Sequence, residues 1–510
     1  MRFSVMTGLP TAQMSAIVAC SLVATLSAAR PADDPVVTNS RAPGFPAPAL
    51  ASSLALLPGP SPAALQLQQA IAAAIASNAS TVRVAGGEYR FNNADLELLG
   101  ATGLMVESPA PVKMWFAPGF GVHLRDCAGV HLGNWSIDYD PPWAKRTGGL
   151  TYQLTNSSDV VTEDLTILSA PQMAITAFLG GGGHVFRRIR FEPQGQGGVV
   201  SSQDAMHFSD LRRGPLVEDS VVGFSGDDFF NVHSTIMMVL ECPSPTSCVI
   251  INPHIGGASS TRPGYGGYTA MATARPGDHL SLFHWPAEDV IIRDLGGTAV
   301  TAEITSITAV TDPALLSAAG KVAQVVRNAS VGAWTGWSNS SYSFNAGGQL
   351  WKVELAMPLP PRAFAALQPE RGGVVGPALA TVDEIGSAGA VLRNNNFTHT
   401  ACNLGRFKSA GGAVVGNIFS HASLKNLELT ELLQWYEGPI RLGGIVVEGN
   451  TFVGVGGDPV HCGPLCEMRS VNGSECMAQA GTAAACPACP DCSSATPWAT
   501  ATVRNNTIIP

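Results

Sequence analysis

The sequence predicts an all-β chain that folds as a right-handed parallel β-helix, a solenoid of stacked coils, with an inserted small β-barrel-like domain. Three observations predict this fold. Only 13% of the 510 residues are charged and 55 are glycine, which suits short strands joined by tight turns better than a helical bundle. Short apolar strands broken by Gly and Asn run through much of the chain. Similar units recur with a period in the twenties, as expected for stacked coils that share one buried core.

The first 60 residues are predicted to lie outside the folded core. Residues 1–29 have the features of a secretory signal peptide, because the single early charge of Arg2 is followed by the apolar stretch Ser15–Ala28. This stretch is short for a membrane span, although an N-terminal anchor is the alternative. We expect a secreted mature chain that is not bound to a membrane. Residues 30–60 are rich in Pro, Ala and Ser and are predicted to form a disordered linker.

A short amphipathic helix is predicted to begin the folded part. Ser61 is a suitable N-cap, and Pro62 suits the first helical position. Leu67, Ile71 and Ile75 are spaced by four residues and would share one face. We expect this helix to cap the open end of the sheet stack.

Repeated short strands from Thr81 onwards predict the coils. Asn repeated at one position of each unit can form a hydrogen-bonded ladder at a turn. A β-propeller or a sandwich is the alternative, but no blade-length repeat of about 40 residues is present. We therefore predict a first part of the β-helix over residues 61–240 and a second part over residues 371–510. The repeated units start at Asn134, Asp164, Arg188, Asp219, Asn395, Asn417, Asn450 and Asn506.

Two insertions and the cysteines agree with an oxidising compartment. Residues 241–370 are predicted to form the inserted all-β domain, and residues 460–496 a second, Cys-rich insertion. Removal of Cys20 with the signal peptide leaves ten cysteines, an even number. Cys242 and Cys248 lie close enough in sequence to close a small loop. A disulfide-stapled segment is expected at 460–496, and a zinc site there is the alternative.

Charge excludes one class of partner. The net charge is −9 and no basic stripe occurs, so we expect no nucleic-acid partner. Eight Asn-x-Ser/Thr sequons agree with secretion and glycosylation without proving either. They start at Asn78, Asn134, Asn156, Asn328, Asn339, Asn396, Asn472 and Asn505.

The densest polar cluster predicts the chemistry. Asp204 lies 23 residues, about one coil, before Asp227, and Asp228 follows directly. Adjacent coils stack at about 4.8 Å, so Asp204 should lie one coil below the Asp227–Asp228 pair. Successive strand residues point to opposite faces, and Gly226 permits the bend that would bring both aspartates to one site. A solvated turn or a calcium site is the alternative explanation of this pattern.

Three carboxylates in one place repel one another, so at least one should hold its proton near neutral pH. A protonated carboxyl beside ionised ones is what glycosidic cleavage requires. One group protonates the leaving oxygen and another activates water. His207 and His233 flank the site and could orient a carboxylate or bind substrate hydroxyls, and Asn231 accompanies them.

The segments Asp204–Ser209 and Asp227–His233 together resemble glycoside hydrolase family 110, the α-1,3-galactosidases, and more distantly family 28, the polygalacturonases. Segments around Asp138, Arg406 and Trp435-Tyr436-Glu437 also fit family 110. The resemblance implies an inverting glycoside hydrolase that needs no metal or other cofactor. Asp227 would be the general acid, and Asp204 and Asp228 would hold and activate the water. The implied substrate-binding residues are His207, Asn231, His233, Asp138, Arg406, Trp435, Tyr436 and Glu437.

The implied substrate is a carbohydrate, an oligosaccharide or polysaccharide with a terminal α-galactoside. Departures from the family pattern put the identity of the sugar in question. Pro142-Trp143-Ala144-Lys145 replaces the usual Pro-Phe-Thr-Gln, and Phe229 and Phe230 replace smaller residues. Two other functions stay open on the same fold. They are a polysaccharide lyase and a non-catalytic carbohydrate-binding protein.

Overall fold

The fold is described from a computed structural model. Its described residues are 59–140, 150–193, 199–252, 270–283, 300–315, 317–318, 350–366, 378–423, 427–429, 437–438, 443–454, 460–462 and 500–509. The predicted signal peptide, nearly all of the predicted linker and residues 463–496 of the predicted Cys-rich segment lie outside these ranges.

Three parallel sheets stack along one axis and form a β-helix, which confirms the predicted architecture. The first sheet runs through Thr81–Arg83, Met105–Glu107, His131–Gly133, Val161–Glu163, Val185–Arg187, Leu216–Glu218, Ala390–Arg393, Gly412–Val415, Gly443–Glu448 and Thr500–Arg504. The second runs through Gly87–Asn92, Val112–Phe116, Trp135–Tyr139, Thr166–Ile167, Arg190–Phe191, Val221–Ser225, Asn396–Thr400, Ile418–Ala422, Thr451–Val453 and Thr507–Ile509. The third runs through Leu96–Leu99, Val122–Arg125, Tyr152–Thr155, Ile175–Phe178, Met206–Ser209, Phe230–Thr235, Gly405–Phe407, Leu427–Leu429 and Val460–Cys462.

A closed antiparallel barrel interrupts the β-helix, as predicted. Its chain path leaves the third sheet after Phe230–Thr235 and continues directly into the first barrel strand. Its strands begin at Met237 and end at Val382, so they extend beyond the predicted range of 241–370 on both sides. The strands are Met237–Ser244, Ser247–Ile251, His279–Phe283, Val300–Ala309, Leu350–Leu355 and Ala378–Val382. Cys242 and Cys248 form the predicted disulfide, which joins the first two barrel strands.

An ion pair links the barrel to the β-helix. Arg212, in the loop after Met206–Ser209, binds Asp278 of the barrel through two hydrogen bonds of 2.9 and 2.7 Å. A bidentate ion pair of this kind fixes the relative orientation of the two side chains as well as their distance. The barrel is therefore attached next to the coil that carries Asp204.

The helix Pro62–Ala76 covers the first coil, as predicted. Ser61 caps it, since its hydroxyl accepts a hydrogen bond from the backbone nitrogen of Ala64 at 3.2 Å. The helix buries Leu67 and Ile71 in the core of the β-helix. The other helical segments are Ala270–Thr273, Pro361–Ala366 and the 3₁₀ turn Asp383–Ile385. None of the helices in the described ranges is long and apolar enough to cross a membrane.

The turn between the first and second sheets has the same backbone conformation in eight successive coils. The residue at this turn has a φ between 52° and 66°, a region that favours Gly, Asn and Asp. Arg188 is the exception, and its guanidinium is held by Glu163 and Asp164. The turn residues are Asn134, Asp164, Arg188, Asp219, Asn394, Gly416, Gly449 and Asn505.

Buried asparagines follow this turn and form the predicted ladder. Asn417 donates to the side-chain oxygen of Asn450 from its amide nitrogen at 3.0 Å and from its backbone nitrogen at 2.9 Å. The same pair of bonds joins Asn395 to Asn417 and Asn450 to Asn506. The ladder satisfies buried backbone groups at a corner where no sheet hydrogen bonds are available.

Candidate active site

Asp204 and Asp228 lie on neighbouring coils at the start of two paired strands of the third sheet. The register pairs Met206 with Phe230, and the backbone nitrogen of Ala205 donates to the carbonyl oxygen of Asp228 at 3.0 Å. The strand pairing therefore brings Asp204 directly below the Asp227–Asp228 pair, as the coil spacing predicted.

Gly226 allows the chain to pass closely over the coil below. Its backbone nitrogen donates to the carbonyl oxygen of Ser201 at 2.8 Å. A Cβ at this position would lie 2.7 Å from the carbonyl oxygen of Ser202, closer than real Cβ contacts come. Glycine is thus required here for close approach, and not for a left-handed conformation.

Asp227 is the most accessible of the three aspartates. Its side chain is partly exposed, whereas Asp204 and Asp228 are buried. Its backbone is held in place because Ser225 and Thr400 both donate to its carbonyl oxygen. In the part of the chain that the structure describes, no other side chain forms a hydrogen bond to the Asp227 carboxylate. Burial, followed by the charge of Asp204, raises the pKa of Asp227 to about 7. Asp227 can therefore carry a proton near neutral pH.

Asp228 is fixed inside the site. Its side chain is fully buried. One carboxylate oxygen accepts a hydrogen bond from the backbone nitrogen of Asn403 at 3.0 Å, and the other lies 3.1 Å from Nε of Arg406. Burial raises the pKa of Asp228 well above its ordinary value, while Arg406 opposes that rise. Asp228 has far less freedom than Asp227 to change partners.

Asp204 begins a chain of hydrogen bonds through two histidines. Oδ2 of Asp204 lies 2.7 Å from Nδ1 of His207, and Nε2 of His207 lies 2.9 Å from Nε2 of His233. Nδ1 of His233 lies 3.1 Å from the carbonyl oxygen of Ser234. Burial lowers the pKa of His233 to about 3, so this imidazole is neutral. Both ring nitrogens of each histidine are engaged within the protein, and neither ring has a nitrogen left for a substrate hydroxyl.

A buried network of charges lies on the next coils. Arg406, predicted as a substrate-binding residue, lies 2.9 Å from Glu428 as well as beside Asp228. Glu437 accepts a hydrogen bond from Asn231 at 2.9 Å and pairs with Lys408. Although burial opposes it, Lys408 and the other positive groups hold the pKa of Glu437 below its usual range. Arg406 and Lys408 are therefore neutralised by carboxylates of the protein itself.

Lys408 and Glu428 were not predicted from the sequence. Lys408 is fully buried directly after the strand Gly405–Phe407, and Glu428 is in register with Arg406 one coil later. The spacing of 22 residues between Arg406 and Glu428 is one coil-length and was the available signal. No comparable signal identifies the partner of Lys408, because Glu437 approaches from an antiparallel pairing outside the stack.

One predicted substrate-binding residue, Asp138, is not brought to the aspartates. Asp138 lies on the second sheet, three coils from the strand Val221–Ser225. It is fully buried, accepts a hydrogen bond from Ser169 at 2.8 Å and lies 3.2 Å from Nζ of Lys113. These contacts indicate a structural role. Trp435 and Tyr436 lie outside the described residues.

One group of possible metal ligands includes two of the aspartates. The donor atoms of Asp227, Asp228 and Cys402 lie within 4.8 Å of one another. However, Cys402 is disulfide-bonded and offers no thiolate, and Asp228 already faces Arg406. The donor set therefore fits a divalent cation poorly.

No protein-family model and no curated protein sequence matches the chain. A solved structure, the A-module of the mannuronan C-5 epimerase AlgE4 from Azotobacter vinelandii, aligns with 88% of this chain and 91% of that chain. The sequence identity is 9% and the TM-score is 0.27, which is too low to support an argument about chemistry. Membership of glycoside hydrolase family 110 or 28 is not shown by these comparisons.

Proposed function

We propose that the protein is a secreted carbohydrate-active enzyme that hydrolyses a glycosidic bond with inversion, at a terminal α-galactoside. The observation that carries the proposal is the geometry of the three aspartates. Asp227 is partly exposed and has its pKa raised to about 7, while Asp204 and Asp228 lie beside it with their own fixed partners. Two carboxyl groups held in opposite protonation states are what acid–base hydrolysis requires.

The proposed reaction assigns one task to each of two carboxyl groups. Asp227 gives its proton to the glycosidic oxygen as the bond from that oxygen to the anomeric carbon breaks. A water molecule bonds to the anomeric carbon from the opposite face, and Asp204 takes the proton that this water loses. The products are a free sugar and an alcohol, so atoms and charge balance. Asp228 helps to hold this water and transfers no proton.

Hydrolysis is favoured over elimination by the state of the nearby cations. A lyase acting on a uronate must neutralise the sugar carboxylate, and it does so with a free Lys or Arg or with calcium. Among the described residues of this site, Arg406 and Lys408 are the cations, and both are paired with internal carboxylates. They are thus poorly suited to bind an anionic sugar, whereas a neutral glycoside needs no such partner.

The test compares two substrates that differ in their leaving groups. A nitrophenyl α-galactoside leaves as a stable phenolate and needs little protonation, whereas an α-1,3-linked galactosyl disaccharide needs a full proton transfer. Asp227→Asn should lower kcat on the disaccharide by about 10²- to 10⁴-fold and on the nitrophenyl substrate far less. Asp204→Asn should lower kcat on both substrates by similar factors, because both reactions need the activated water.

Equal losses on both substrates in Asp227→Asn would remove Asp227 from the role of general acid. A folded wild-type protein that cleaves neither substrate, nor any other glycoside in a broad panel, would contradict the hydrolase proposal. Binding of a glycan without cleavage in that experiment would favour the non-catalytic carbohydrate-binding function.

A further inference from the structure

Asp204, His207 and His233 form a chain of hydrogen bonds. The partner of each ring nitrogen determines whether that nitrogen carries a hydrogen. The carbonyl oxygen of Ser234 carries no hydrogen, so Nδ1 of His233 must donate to it. Because His233 is neutral, its Nε2 then has a lone pair and no hydrogen. Nε2 of His207 must therefore be the donor in the 2.9 Å contact between the two rings.

One proton remains between His207 and Asp204. Their atoms Nδ1 and Oδ2 are 2.7 Å apart, a distance typical of a charge-assisted hydrogen bond. With Nε2 of His207 already protonated, this proton makes either a neutral pair with a protonated Asp204 or an ion pair with a His207 cation. Only the ion pair leaves Asp204 as a base.

We propose that His207 is a positioning residue that acts as a permanent cation beside Asp204, keeps this carboxylate ionised as the catalytic base, and is itself oriented by His233. This inference rests on the proposed hydrolysis, because it names which carboxylate activates the water. Of the two roles predicted for these histidines, it selects the orientation of a carboxylate over the binding of substrate hydroxyls.

The groups around His207 follow from the strands packed against it. Its strand Met206–Ser209 lies between Ile175–Phe178 and Phe230–Thr235. The first of these neighbours offers only the uncharged Thr176 and the ring of Phe178, whose centroid lies 5.7 Å from that of His207. In the part of the chain that the structure describes, the charged and titratable groups around His207 include Asp204, Asp210 and the neutral His233.

The proposal also explains how Asp204 and Asp227 come to differ in protonation. The His207 cation compensates Asp204, which stays ionised. The negative charge of Asp204 then contributes to the raised pKa of Asp227, which keeps its proton. The different surroundings of Asp227 and Asp204 thereby make one the acid and the other the base, although both are aspartates at the same corner.

Three experiments test the proposal. The first is NMR of the full chain labelled with ¹⁵N-histidine, with His207→Gln and His233→Gln used for assignment. Between pH 6 and 7, His207 should carry hydrogens on both ring nitrogens, and His233 on Nδ1 alone. An unprotonated Nδ1 on His207 in this range would overturn the proposal. This result does not depend on finding a substrate, so it is separable from failure of the hydrolase proposal.

The second measurement is the pH dependence of kcat on the disaccharide. Gln at position 207 can still donate a hydrogen bond to Asp204 but carries no charge. His207→Gln should therefore lower kcat by about 10²-fold, leave KM within about threefold, and move the acid limb of the profile to higher pH. A merely structural role for His207 would lower kcat without moving that limb, and this outcome would refute the proposal.

A matched pair of variants tests the role of His233. The side-chain oxygen of Gln can accept the hydrogen bond from Nε2 of His207, whereas Leu cannot. His233→Gln should keep most of the wild-type kcat, and His233→Leu should lose about tenfold more. Circular dichroism and the melting temperature of each variant show whether it is folded. Equal kcat values in folded Gln and Leu variants would contradict the orienting role.

Discussion

At the residue scale, the three aspartates of the site differ in the groups that hold their side chains. Asp204 is paired with His207, Asp228 is held by Asn403 and Arg406, and Asp227 is partly exposed. Coil spacing was sufficient to predict that these carboxylates meet. It could not predict their partners, because a one-coil spacing fixes the height of a residue in the stack but not the orientation of its side chain.

His207 and His233 show the same limit. Their separation of 26 residues places them on adjacent coils, so their proximity follows from the sequence. Two roles were nevertheless open for them in the sequence, namely to orient a carboxylate or to bind substrate hydroxyls. The perpendicular contact between their rings, with centroids 4.9 Å apart, depends on side-chain torsions that no residue spacing encodes.

The pKa of Asp227 predicts a pH limit on activity. A general acid must be protonated, and burial together with Asp204 raises the pKa of Asp227 to about 7. We expect kcat/KM for the disaccharide to fall above about pH 7, by about tenfold per pH unit, as Asp227 loses its proton. A pH–rate profile measures this limb.

The exposed turn residue Asp219 provides the control for that profile. Asp219→Asn should leave the limb unchanged, since this carboxylate lies at a turn on the outside of the stack. A wild-type profile that stays flat to pH 9 would show that no group with a pKa near 7 acts as the acid.

At the element scale, the turns and the asparagine ladder were the most predictable features. Asn is suited to the left-handed conformation of the turn residue, and the amide of the Asn that follows the turn carries both a donor and an acceptor that can pair along the stack. The repeated Asn therefore predicted a ladder, and Asn395, Asn417 and Asn450 form it.

The partners of Arg406 were less predictable. The barrel separates Asn231 from Arg406 by 175 residues, although the two are paired neighbours in the third sheet, and this insertion hides the coil-to-coil register.

The ladder makes a testable contribution to stability. Asn417→Leu keeps a similar side-chain volume but removes the hydrogen bonds to Asn395, Asn450 and the carbonyl oxygen of Leu392. Unsatisfied buried groups would remain on both neighbouring coils. We expect the free energy of unfolding in urea to fall by about 2–4 kcal/mol.

The neighbouring Asn396 is exposed and lies outside the ladder, so Asn396→Ala serves as the control. This variant should change the free energy of unfolding by about 0.5 kcal/mol or less. Similar losses in the Asn417 and Asn396 variants would mean that the ladder adds no stability of its own.

At the scale of the whole molecule, the fold was predictable because every coil must satisfy the same structural requirements. Every coil must bury an apolar face, turn three corners and pair with its neighbours, so the composition and the period carry the information many times over. A site is built only once. Glu437 and Lys408, for example, meet because the two-residue strand Glu437–Gly438 pairs antiparallel with Phe230–Thr235, off the path of the stacked sheets. Nothing in the repeat predicts that contact.

The proposed mechanism determines the anomeric configuration of the released sugar. If Asp204 activates a water opposite the leaving group, the product must have the inverted anomeric configuration. We would follow the hydrolysis of an α-1,3-linked galactosyl disaccharide by ¹H NMR in its first minutes, before mutarotation mixes the anomers. We expect β-galactose to appear first and α-galactose later. Initial release of α-galactose would contradict it, because retention requires a carboxylate that attacks the sugar directly instead of a base that activates water.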